Sequence, residues 1–155
     1  MAVLRICTEG EAVLRQKARP VKKITRRIEK LVRDMAQTMY EARGVGLAAP
    51  QVGVSEQIVV IDVGGGLITL INPRICEREG SEREIEGCLS LPGINAYVTR
   101  ASRVVVEALN AAGKPVRYEG TGLLARAFQH ELDHLQGILF IDYLEKSPLE
   151  AVKTE

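Results

Sequence analysis

No apolar run in the sequence approaches the roughly 20 residues that a bilayer-spanning helix needs, so membrane insertion is not expected. The first 20 residues, MAVLRICTEGEAVLRQKARP, have no apolar stretch leading to a small-residue cleavage site, and they contain acidic residues that transit peptides avoid. A cytoplasmic protein is the expectation. Cysteine is scarce: Cys7, Cys76 and Cys88 are odd in number and irregular in spacing, which speaks against a disulfide framework and leaves ligand or nucleophile as the special roles open to them. Histidine is scarcer still, at His130 and His134 alone. An excess of one charge is lacking too. With 21 Lys and Arg against 20 Asp and Glu, the formal net charge is +1, which argues against a dedicated nucleic-acid binder, DNA included.

The charge that is present is unevenly spread. Residues 15–33 carry nine basic side chains against the single acid Glu29. A solvated helix face accounts for this plainly; a transient RNA or ribosome contact is the functional alternative. A length of 155 residues fits one domain over 1–155, with a polar end at 145–155 that is expected to fray.

Thr25 followed by Ile28, Leu31, Val32, Met35 and Met39 predicts an amphipathic helix over about 25–43, with Gly44 as its stop. GVGLAAPQVG (44–53) has no clean period and reads as an irregular segment. Strands are expected at 58–63, 67–72 and 104–109, with weaker partners at 96–99 and 115–119 and a hairpin turn at Gly64-Gly65-Gly66. Thr121 is placed to cap a second helix running to about Gln136, stopped by Gly137. Strands grouped between two helices predict an α+β domain, with antiparallel or mixed sheets packed around the second helix.

That helix carries the chemistry. In QHELDH, His130 and His134 lie about 40° apart on one face at roughly 100° per residue, so both imidazoles can meet one ion. Glu131 lies about 80° to 100° around from that line, off the ligand direction but placed as a general base toward a metal-bound water. The same wheel puts Leu123 and Ala127 with the histidines and leaves Arg126, Gln129, Asp133 and Gln136 opposite. No further imidazole exists, so the third ligand is Cys, Asp or Glu. HELDHLQGILF follows the spacing of HExxHxxGxxH zinc proteases until Phe140 stands where the last His belongs, which disfavours that subclass. Cys88, in EGCLSLPG, is the best candidate because a metal can hold it as thiolate. A metal-stabilised module without catalysis is the other alternative, and the presence of Glu131 speaks against it.

The stretch Gly44 to Ala49 matches G-x-G-x-x-A, but it follows a helix and runs through Pro50, the wrong context for a dinucleotide fingerprint. Glycines beside the one polar side chain, Gln51, better suit backbone that approaches a ligand closely and an amide that donates to an oxyanion.

Together and in this order, GVGLAAPQ, EGCLS and QHELDH resemble the three motifs of the peptide deformylase family, and the resemblance runs from the basic N-terminal helix to Tyr143. It implies removal of the formyl group from formyl-methionyl nascent peptides. It also implies one divalent ion on Cys88, His130 and His134, with Fe²⁺ favoured and Zn²⁺, Ni²⁺ or Co²⁺ able to substitute. Glu131 would be the catalytic acid and base, and the Gln51 side chain and Leu89 N–H would hold the oxyanion. Gly46 would hydrogen-bond the substrate backbone, and Val45, Glu86 and Leu123 would lie near the methionine pocket.

Overall fold

Residues 2–144 and 151–153 are described in a computed structural model of the chain. The first helix, α1 (Arg26–Glu41), starts at Thr25, whose Oγ1 accepts the Ile28 N–H at 3.4 Å. Its stripe of Ile28, Val32, Met35 and Met39 is buried, while Arg26, Arg27, Lys30 and Arg33 stay exposed. The left-handed residue that stops it is Arg43 (φ 57°) rather than Gly44. The Arg43 N–H donates to Tyr40 O and the Gly44 N–H to Met39 O, each at 3.0 Å, the paired bonds of a Schellman stop.

The 44–53 segment is not irregular as expected. It supplies a strand, β1 (Gly46–Ala48), and a 3-10 turn over Ala49–Val52. All three β1 residues are buried, so no polar alternation marked it as a strand. β1 pairs antiparallel with β2 (Ile58–Ile61), which pairs with β3 (Ile68–Glu79) through the glycine turn. There the Asp62 carboxylate accepts the Gly64 N–H at 2.8 Å. β4 (Glu82–Cys88) and β5 (Leu91–Arg100) form a hairpin, and β6 (Arg103–Leu109) and β7 (Pro115–Thr121) form another.

One sheet has the order β1-β2-β3-β6-β7; the other is β4-β5-β8, where β8 is the backbone at Ala151–Lys153. Every strand pair in both is antiparallel. The rest of the 145–155 tail, and with it the expected fraying, lies outside the described residues. β3 runs seven residues past the expected end, and its ladder shifts register after Ile71. There Asn72 is left-handed (φ 53°) and Pro73 has no N–H to donate. Asn72 also binds the Val21 N–H and C=O at 2.8 and 2.9 Å, pinning the basic N-terminal strap to the sheet.

The larger sheet is covered on both faces. Val59 and Ile61 pack with Phe128 and Leu132 of the second helix, α2 (Gly122–His134), while Ile58 and Val60 pack with Ile28, Met35 and Met39 of α1. That double burial explains why β2 reads as a continuous apolar run. α2 begins after Thr121, which makes no side-chain capping bond, and left-handed Gly137 (φ 75°) follows its end. The smaller sheet packs Leu91, Ala96 and Val98 with Phe140 and with Leu144 of a one-turn helix, α3 (Ile141–Leu144).

Of the polar side expected for α2, Gln136 is exposed, but Arg126 and Gln129 do not face water. Arg126 and Gln129 are 7% and 4% exposed. Arg126 reaches Glu86 at 2.6 Å and Val98 O at 2.8 Å, while Gln129 bridges the N–H and C=O of Ala101. These bonds fasten the helix to the smaller sheet, so α2 is buried nearly all around. No helix among the described residues is long and apolar enough to cross a membrane.

Candidate metal centre and pocket

Three elements meet at one point. α2 presents His130 and His134 on consecutive turns with their Nε2 atoms 3.3 Å apart, and Cys88, at the end of β4, brings Sγ to 3.4 Å from His134 Nε2. All three ligand atoms lie within 4.8 Å of one another. Ligands about 2.0–2.3 Å from a tetrahedral ion sit about 3.3–3.6 Å apart, so this triangle fits one ion.

The two imidazoles differ in their hold on a proton. Burial opposes a charge on His130, but hydrogen bonding with Cys88 and Glu86 prevails and raises it to about 10. Burial and the neighbouring His130 charge hold His134 well below its usual value. Two imidazoles in contact do not both hold a proton, and an ion takes both Nε2 atoms only once they are proton-free, so metal binding here would displace a proton.

Glu86 supports His130 from behind. Its Oε1 lies 2.8 Å from His130 Nδ1, and its carboxylate also accepts from Arg100 at 2.5 and 2.9 Å and from Arg126 at 2.6 Å. Burial alone would raise its pKa; the bonds from His130 and Arg100 overcome this and hold it down at about 2. Glu86 was expected at the methionine pocket. It lines the cavity described below, but its carboxylate is turned to the histidine.

Glu131, one residue from His130, is 4% exposed, and its Oε1 has no hydrogen-bond partner among the described residues. Burial is the main cause that pushes its pKa up, to about 7, with the His130 charge working against it. Gly46 makes room for it. A Cβ at Gly46 would stand 2.6 Å from Glu131 Oε2, closer than non-bonded atoms approach.

Gln51, 1% exposed, is clamped by the Ala48 N–H donating to its Oε1 at 2.9 Å. Its Nε2 donates to Ser90 Oγ at 3.1 Å and lies 3.6 Å from Cys88 Sγ, so an amide donor is fixed beside the triangle.

A cavity of about 340 Å³ opens onto these groups. One wall is 43–46, the other is 85–89, and Leu123, Ala127, His130 and Glu131 form the floor. Leu89 closes against Gly44, where an added Cβ would be 2.8 Å from Leu89 Cδ1. Val45, Ile85 and Leu123 are 41%, 48% and 54% exposed, and all three line the cavity. Apolar side chains left open to water around one cavity mark a surface that an apolar ligand group covers. The structure thus brings every sequence-predicted site residue to this place. Sequence reasoning missed Ile85 and Arg43 in the walls and the Arg100 and Arg126 support; Ile85 alone had a signal, as an isolated apolar residue in the charged run EREIE.

Comparison with known proteins agrees with this geometry. Residues 3–149 match the profile of the family described as polypeptide deformylase. The chain is 56% identical over 147 residues to a peptide deformylase of Desulfitobacterium hafniense, covering 95% of this chain and 98% of that protein. It is 58% identical over 144 residues to that of Halothermothrix orenii, covering 92% and 94%. Among solved structures, a peptide deformylase from Legionella pneumophila superposes with a TM-score of 0.92 at 45% identity, covering 96% of this chain and 89% of that one. One from Synechococcus elongatus, in complex with actinonin, gives 0.87 at 42% identity, covering 94% and 86%. With the motifs, the fold and these full-length likenesses in agreement, the chain belongs to the polypeptide deformylase family.

Proposed function

We propose that this protein hydrolyses the formyl amide of formyl-methionyl nascent peptides, giving formate and a free N-terminal methionine. The observation that carries the reading is the buried, part-unpartnered Glu131 carboxylate set beside the Cys88, His130 and His134 triangle at the floor of an apolar-rimmed cavity. Cys88, His130 and His134 would hold the ion, and Glu86 would keep His130 oriented. A divalent ion held there acidifies water near neutral pH and polarises a carbonyl oxygen.

Glu131 takes the proton of the attacking water and returns it to the amine as the formyl carbon–nitrogen bond breaks. Its raised pKa suits both directions of transfer. Gln51 Nε2 and the Leu89 N–H stabilise the oxyanion that develops. Val45 and Leu123 receive the methionine side chain, with the Glu86 carboxylate beside them already bound by Arg100, Arg126 and His130; a charged side chain would lose its hydration against that apolar rim.

Gly46 binds the substrate backbone. β1 is an edge strand, and Val45 O accepts the Asp62 N–H at 2.9 Å toward β2, so the Gly46 N–H and C=O point to the open edge by the alternation of a strand. β4 is the edge of the other sheet. A peptide laid between the two edges gains main-chain hydrogen bonds in an extended form.

The ion favoured is Fe²⁺, by family resemblance, since one thiolate and two imidazoles also accept Zn²⁺, Ni²⁺ or Co²⁺. The reading includes one domain over 1–155 organised around α2, a cytoplasmic location and a transient ribosome contact through 15–33. In support of the last, Lys17, Arg19, Lys22, Lys23, Arg26 and Arg33 are exposed and form no ion pair among the described residues.

The test is formate release from a formyl-Met peptide set against cleavage of the same peptide without the formyl group. Formate release with the unblocked peptide intact is expected. Internal cleavage of the unblocked peptide would make the protein an endopeptidase instead.

A further inference from the structure

The residue that ends α1 is unusual for its place. In a Schellman stop the left-handed position favours glycine, because an L side chain is strained there, yet this chain has Arg43 at φ 57°. Its guanidinium is exposed and has no hydrogen bond or ion pair among the described residues. Nothing local compensates for the strain, and a side chain held at a local disadvantage points to a use beyond folding.

Its position suggests the use. Arg43 lines the cavity together with Glu86, Arg126 and Glu131, but those three are buried, and Arg43 is the exposed charge of the wall among the described residues. Beyond Gly46 the chain runs through Leu47, Ala48, Ala49 and Pro50, all buried. A peptide on the β1 edge with its first residue at Gly46 therefore leaves toward Val45 and Arg43. Three residues span at most about 10 Å of chain, and a strand advances about 3.3 Å per residue. The second and third residues of the substrate would come within reach of the Arg43 side chain.

We propose that Arg43 is a specificity-determining residue that favours substrates with a carboxylate side chain at the second or third position after the formyl group. The proposal rests on the deformylase reading and adds a preference downstream of methionine. An exposed, flexible cation interacts modestly with a carboxylate, so the preference is about threefold to tenfold in kcat/KM. It arises in KM, because Arg43 stands away from the reacting carbon and binds ground and transition states alike.

The test compares the peptides formyl-Met-X-Ala and formyl-Met-Ala-X, with X as Asp, Ala or Lys, on the metal-replete wild type and on Arg43→Gly and Arg43→Glu. The wild type should prefer Asp over Lys in at least one series, through KM, and raised salt should erase the difference. Arg43→Gly should keep the rate on Ala peptides, lose the preference and melt about 2–4 °C higher as the strain is relieved. Arg43→Glu should reverse the preference. Equal handling of Asp and Lys by the wild type, or a preference that survives in Arg43→Gly, would overturn the proposal. Failure to release formate from any formyl peptide would instead overturn the deformylase reading on which it rests.

Discussion

Glu86 Oε1 stands 2.8 Å from Nδ1 of His130, and the same carboxylate is bound by two buried arginines, Arg100 and Arg126. A carboxylate held down to about 2 in the fold and near 4.5 when unfolded binds fewer protons when native. Its stabilising contribution is therefore complete above pH 4.5 and is lost as pH falls toward 2. Denaturant titrations at pH 6 and pH 3 should show a larger loss for the wild type than for Glu86→Gln, whose remaining pH effect comes from other carboxylates held down in the fold, such as Asp34 and Asp62. Because Glu86→Ala strands buried cations, it should cost about 3–5 kcal/mol.

Gly46 and Glu131 share one space. An alanine at Gly46 pushes the Glu131 carboxylate from its seat, so Gly46→Ala should lower kcat on the order of 100-fold, as removal of a general base does. Metal content should stay near that of the wild type, as it should in Glu131→Gln. Loss of metal in Glu131→Gln would make that carboxylate a ligand and not a base.

Metal occupancy near one per chain should fall sharply in Cys88→Ala and His134→Ala when measured by elemental analysis. If the working ion is Fe²⁺, activity of the iron form should decay in air, while nickel or cobalt forms hold theirs. An iron-free zinc preparation that is fully active and stable in air would decide against iron.

The apolar rim should set the first residue. Ile85→Ala and Leu123→Ala each remove a half-exposed side chain that the substrate would cover, so KM for a formyl-Met peptide should rise about tenfold, roughly the 1–3 kcal/mol of a hydrophobic contact. Hydrolysis of acetyl-Met should be far slower than that of formyl-Met, because the added methyl group spoils close approach to the donors.

Local patterns made part of this legible in the sequence. The α1 stripe and the β-branched runs of β2 and β6 report their own burial, and with two histidines in the chain the metal motif had few competitors. β1 was hidden because it is only three residues long and all three are buried, so no polar alternation marks it. β3 past Pro73 was hidden because its RICERE continuation is polar on a sheet edge of mixed exposure. The helical wheel misjudged Arg126 and Gln129, since it assumes that polar means wet, and here a second sheet supplies the partners. The hold of Glu86 on His130 joins residues 44 apart in sequence, which no local pattern reveals.

The ligand triangle is divided between two structural halves, with Cys88 contributed by the smaller sheet and both histidines by the helix that covers the larger one. An ion shared by Cys88 and His134 would tie together residues separated by 46 positions, so in the loop-entropy account it would act as a reversible cross-link. A covalent bridge closing a loop of that length restricts the unfolded chain by about 4 kcal/mol. Catalysis and cohesion would then draw on the same bonds, and a chelator that silences the enzyme would also loosen the seam between its two sheets.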